Sequence, residues 1–123
     1  MLREYEITSI FNAQLTDEEK RKIQEKYEDI LLANGGEMVK KSDWGVKKLT
    51  FPMKGQYRGH YVHYDLTSNA ANLAEAERLM RIDDNVLRYL SIRVGDNINV
   101  ESRKAELAKA EARAVLQKEA SHI

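Results

Sequence analysis

The sequence predicts an α+β fold of the ferredoxin-like, split-βαβ class: a four-stranded antiparallel sheet with two helices on one face. Segments of period two and period 3.6 alternate in the order strand, helix, strand, strand, helix, strand. The two middle strands are joined by a connection so short that they must form a hairpin. Each of the other two crossovers contains a helix, so both can take the right-handed sense that such connections adopt. The 123 residues are the size of one domain. A change of composition sets that domain at residues 1–95 and leaves 96–123 as a charged, alanine-rich extension, helical or disordered.

The first strand covers residues 2–12. Tyr5, Ile7, Ser9 and Phe11 fall on one side of it, and Glu4, Glu6, Thr8 and Ile10 on the other. Thr16 opens the first helix: Thr16-Asp17-Glu18-Glu19 is a capping box, in which the hydroxyl satisfies an orphan N–H and Glu19 reaches back. Its apolar stripe is Ile23, Tyr27, Ile30 and Leu31, and Asn34-Gly35-Gly36 ends it. Residues 37–53 are extended, with Trp44-Gly45 expected as a bend or bulge and Pro52 at an edge or strand end. Lys54-Gly55-Gln56 supplies the turn into a strand over 57–67. Ser68 or Asn69 caps a helix running to about residue 81, with Leu73, Ala76 and Met80 inward. In the last strand, 86–94, Leu90, Ile92 and Val94 alternate with Tyr89, Ser91 and Arg93.

The totals exclude several function classes. Twenty basic residues balance twenty acidic ones, whereas a free-standing nucleic-acid binder is usually basic. RNA contact would therefore need a local basic patch or a basic partner. The absence of cysteine removes disulfides, thiolate metal sites and cysteine nucleophiles. No apolar run approaches the roughly 20 residues of a membrane span. The front of the chain shows no signal pattern, so the expectation is a cytoplasmic protein without a targeting segment.

The stretch "RGHYVHYDL", residues 58–66, has the look of an RNA-recognition motif: a basic residue, a glycine, then aromatics on a strand. Split by parity, Val62, Tyr64 and Leu66, with His60, face the covered side, and Tyr61, His63 and Asp65 face the open one. The motif needs a second aromatic upstream and a third on the first strand. Those positions hold Gly59 and the set Glu4, Glu6, Thr8 and Ile10, so the stacking motif fails although the topology agrees.

Three other segments carry a resemblance. "REYEITSIFN", "WGVKKLTFPMKGQYRGHYVHYDL" and "LMRIDDNVLRYLSIRV" are similar to the opening strand, the long hairpin, and the second helix end with last strand of the bacterial small-subunit ribosomal protein six family. The likeness spans about residues 2–94. It implies a ferredoxin-like fold with no enzymatic activity or cofactor. It also implies a place in the ribosome, on the central domain of small-subunit rRNA, in a heterodimer with small-subunit ribosomal protein eighteen. A basic partner would explain how a neutral chain sits on RNA.

Phosphate contact needs cationic side chains that reach beyond the surface. The candidates are Arg3, Lys47, Lys48, Lys54, Arg58, His60, Arg88 and Arg93, with the hairpin cluster and Arg88 foremost because the resemblance places RNA near such positions. Lys47 and Lys48 are adjacent, so one of the two is expected to meet RNA. Glu4, Glu6, Ile10, Trp44, Tyr61 and Tyr89 are candidates for contact with the partner protein, the glutamates by pairing with its basic side chains.

Enzyme readings have less to stand on. His60 and His63 lie on opposite faces of one strand and cannot act together. Acylphosphatases share the topology but use a glycine-rich loop after the first strand, where this chain has Ala13-Gln14-Leu15. There is no phosphate loop and no dinucleotide fingerprint. The alternative from another class is a regulatory or oligomerising ferredoxin-like module that binds a metabolite near the open sheet.

Overall fold

The computed structural model describes residues 2–96 together with 104, 105 and 109, so the expectation for the C-terminal extension falls almost wholly outside the described residues. Along the chain lie β1 (Arg3–Asn12), α1 (Asp17–Leu32), β2 (Glu37–Met53), β3 (Gln56–Ser68), α2 (Ala70–Ile82) and β4 (Val86–Asp96). The strands form one antiparallel sheet in the order β2-β3-β1-β4. This is the ferredoxin-like arrangement the sequence predicts.

Local chemistry sets the boundaries. The Thr16 hydroxyl accepts the Glu19 amide at 3.2 Å, and the Glu19 carboxylate accepts the Thr16 amide at 3.1 Å, so the capping box is complete. The hydrogen bond from the Thr16 amide holds the Glu19 carboxyl below its ordinary range. After α1 the chain reverses through Asn34 and Gly35, both at positive φ. The Asn69 side chain accepts the Asn72 amide at 2.8 Å and starts α2.

Both helices cover one face. Tyr5, Ile7 and Phe11 of β1 and Val62, Tyr64 and Leu66 of β3 meet Ile23, Tyr27 and Leu31 of α1 and Ala76 and Met80 of α2. Polar ties fix the helices to the sheet ends. The Ser68 hydroxyl donates to the Leu31 carbonyl at 2.6 Å, and the Tyr27 hydroxyl donates to Asp83 at 2.7 Å. Burial and that acceptor push the Tyr27 hydroxyl's pKa well up. Lys41 of β2 pairs with Glu28 of α1 at 2.9 Å.

On β4 the alternation resolves in favour of Tyr89 as the inward residue. It packs against the core cluster, while Leu90, Ile92 and Val94 stand 42% to 58% exposed on the open face. Register shifts between Ile10 and Phe11 and between Glu4 and Tyr5 bracket the β1–β4 pairing.

Candidate functional site

A bulge organises the open face. In β2, Asp43 pairs with Val62 and Gly45 with Tyr61, so Trp44 is the extra residue. Gly45 sits at φ 80, a conformation that glycine adopts without strain. Its amide donates to Asp43 Oδ1 at 2.8 Å. The bulge swings Trp44 over the sheet, where its ring stacks on His63 at 5.0 Å and 6°. His63 Nδ1 lies 2.9 Å from the Thr8 hydroxyl. Lys47 Nζ stands 5.7 Å from the Trp44 ring centre and 5.6 Å from that of Tyr61, a cation shared by two rings.

Beneath Tyr61 lies a second apolar cluster. Ile10, Leu49 and Leu87 are buried together, with Met53 and Tyr61 against them. Gly59 makes this possible: a Cβ there would run into the Ile10 side chain and come within 3.2 Å of Leu49. The glycine of "RGHYVHYDL" therefore serves packing. Ile10, expected at a partner surface, forms the floor of this cluster at 7% exposure.

Beyond the pairing of Asn12 with Gly59, β1 ends and the β2–β3 hairpin continues as two strands. Lys48 is directly opposite Arg58 on this arm, and both are exposed. Neither forms an ion pair among the described residues. Tyr57, 70% exposed, and Phe51, 54% exposed, also lie on the arm. At its tip Lys54 and Gly55 take φ 48 and 77, the positive values a two-residue hairpin turn needs. Lys54 Nζ then donates to the carbonyls of Asp83 and Val86 at 3.0 and 2.8 Å. This ties the tip to the start of β4.

Two expected site residues are placed elsewhere. His60 is 6% exposed on the covered face. Its Nε2 lies 2.7 Å from Asp43 Oδ1, so it holds the bulge from within rather than reaching phosphate. Partial burial pushes the Asp43 carboxyl up, but hydrogen bonds from His60 and from the Gly45 amide more than offset this and leave it below the usual carboxylate range. Glu4 has 0% exposure, set between Thr67 of β3 and Gly95 of β4. Glu6 and Thr8, on the same face of β1, keep part of their surface, but Glu4 is buried and engaged, so it offers none.

The remaining candidates separate into groups. Lys47, Lys48, Arg58 and Lys54 share the hairpin arm, and Trp44, Tyr61, Glu6 and Arg88 share the open face with Ile10 beneath. Arg3 and Arg93 belong to the far end of the sheet, and both are engaged in contacts there. Tyr89 is half-buried on the covered side, its hydroxyl 3.5 Å from Arg81. Sequence reasoning missed the exposed stripe Leu90, Ile92 and Val94. The signal was available: Arg88 has the same parity as Leu90 and Ile92, which is odd for an inward set. It also missed His63, whose part in the stack depends on the bulge.

The family model described as Ribosomal protein S6 matches residues 4–93. Small ribosomal subunit protein bS6 of Syntrophobacter fumaroxidans is 36% identical over 107 residues, covering 87% of this chain and 73% of that protein. The protein of the same name from Caldanaerobacter subterraneus is 35% identical over 95 residues, covering 77% of this chain and 100% of its own length. Among solved structures, the crystal structure of 30S ribosomal protein S6 from Thermotoga maritima superposes with a TM-score of 0.69. That match covers 93% of this chain and 98% of that one at 23% identity, a likeness of fold.

Proposed function

Since the chain belongs to the ribosomal protein S6 family, we propose that it is a structural, non-catalytic component of the small ribosomal subunit that binds the central domain of its rRNA. It does so as a heterodimer with small-subunit ribosomal protein eighteen. The observation that carries the RNA contact is the Lys48–Arg58 pair. Like charges directly opposite on a two-stranded ribbon repel. Here no carboxylate pairs with either among the described residues. A backbone phosphate set between them would turn that repulsion into two charge-assisted hydrogen bonds. Lys47, held by its two rings, and Arg88 at the open face extend the cationic margin, and Arg3 and Arg93 supply it at the far end of the sheet.

The partner protein takes the open face. Leu90, Ile92 and Val94 form an exposed apolar stripe on β4, and β1, with Glu6 opposite Ile92, separates it from Tyr61 of β3 and Trp44 of β2 on the same face. Such a stripe on a sheet face suits a protein contact better than a solvated surface. A metabolite site on the open face fits less well: the recess there, at Thr8, Ile10, Arg88, Tyr89 and Leu90, holds about 210 Å³, below the range of ordinary ligand sites.

The test is a titration of a central-domain rRNA fragment with the protein and its partner across a series of potassium chloride concentrations. Replacing Lys48 and Arg58 together by Gln should reduce the slope of log affinity against log salt by about 1.5 to 2, as expected for two lost phosphate contacts. An unchanged slope would take this pair out of the RNA site.

A further inference from the structure

The RNA reading gives no role to Arg81, in the last turn of α2. Arg81 borders a cleft of about 250 Å³ at the free edge of β4, lined also by Lys54, Arg88 and Tyr89 and by Met80 and Val86. Three cations thus border one small space, and no carboxylate lines it. Asp83, two residues from Arg81, is occupied elsewhere: its Oδ2 accepts the Tyr27 hydroxyl at 2.7 Å, and its Oδ1 accepts the Asn85 amide at 2.9 Å. Lys54 is fixed in place by its two carbonyl bonds, which neutralise no charge.

A cation beside a helix C-terminus has an ordinary use, since the end of the helix dipole carries about half a negative charge. That accounts for one cation here. Two more at the same place repel one another unless an anion enters. Neither Arg81 nor Arg88 forms an ion pair among the described residues. The Tyr89 hydroxyl, 3.5 Å from Arg81 Nη2, adds a neutral donor at the rim.

We infer that this cleft is a second phosphate-binding site, in which Arg81, Arg88 and the Tyr89 hydroxyl hold a backbone phosphate of RNA while Lys54 supplies fixed positive charge. The inference rests on the RNA reading above. A guanidinium offers a planar donor fork that matches the non-bridging oxygens of a phosphate, and Arg88, on the open face of the edge strand β4, borders the cleft from the sheet edge. Lys54 belongs to both neighbourhoods, because the hairpin tip that carries it also ends the arm bearing Lys48 and Arg58. One strand of RNA backbone can therefore follow the arm and pass the start of β4.

The experiment uses the full chain with its partner protein and a central-domain rRNA fragment, over the same salt series. Arg81→Gln should weaken binding about 3- to 10-fold near 0.1 M salt and make the slope shallower by roughly one, with most of the slope restored in Arg81→Lys. A purely structural Arg81 would lower the thermal midpoint and leave the slope alone. Arg81→Met, which keeps the aliphatic stem and removes only the charge, gives the same readout should Arg81→Gln fold poorly. Unchanged slopes in the folded variants, with a wild type that binds normally, overturn the cleft and leave the RNA reading standing. A wild type without salt-dependent binding overturns both.

Discussion

Gly59 shows how one residue's meaning depends on a contact far away in sequence. Nothing near it requires an unusual backbone; the requirement comes from Ile10, which lies against the place a Cβ would occupy. Gly59→Ala should destabilise the protein by about 1–3 kcal/mol, the usual cost of overpacking. Urea unfolding measures it, and a double-mutant cycle identifies the cause: in Ile10→Ala the alanine at 59 should cost much less. A full cost in that background would point to backbone strain. Glu4 and His60 teach the same lesson. Parity put each on its correct face, but parity does not set exposure. For His60 a strand distant in sequence decides it, since the bulge in β2 brings Asp43 to its ring, and for Glu4 flanking strands alone do not, since Glu6 has the same two neighbours and stays partly exposed.

Elements with local signals were legible in the sequence. The capping box, the glycine stop after α1, the Asn69 cap and the Trp44-Gly45 bulge all follow from side chains acting on their own backbone within a few residues. The outward set of β4 was less so, because an apolar alternation reads the same whichever face is covered and the shared parity of Arg88 is the cue that breaks the tie. The bulge also carries a pH signature. Asp43 titrates below its ordinary value of 3.8 in the folded chain. A carboxyl with a depressed folded pKa contributes stability above its unfolded pKa and loses it as pH falls through the folded value. Asp43→Asn should therefore cost stability at pH 7, by under about 1 kcal/mol since the carboxyl is largely solvated. The gap between variant and wild type should close below about pH 4. Unfolding midpoints from pH 7 to 2.5 check this; a gap that persists at the acid end would mean that the bulge does not depend on the charge of Asp43.

For the whole molecule, helices on one side leave the other side of the sheet with apolar and aromatic groups that no element of the described chain covers. On the proposed reading Ile92→Lys should weaken heterodimer formation about tenfold or more, since it sets a charge within an apolar contact. It should shift stability by no more than about 0.5 kcal/mol, as for other exposed positions. Calorimetric titration of the partner and a thermal melt separate the two effects, and unaltered affinity would move the partner off this face. The same face carries an optical consequence. Trp44 is the only tryptophan of the chain, so its emission has a single source, lying flat on an imidazole and 46% open to water. A protein seated on the sheet would dry that indole and shift its emission to shorter wavelength, whereas RNA held at Lys48 and Arg58 would reach it only through Lys47 and leave its solvent exposure nearly as it was. The protein thus carries an unlabelled fluorophore that reports the order in which its two partners arrive.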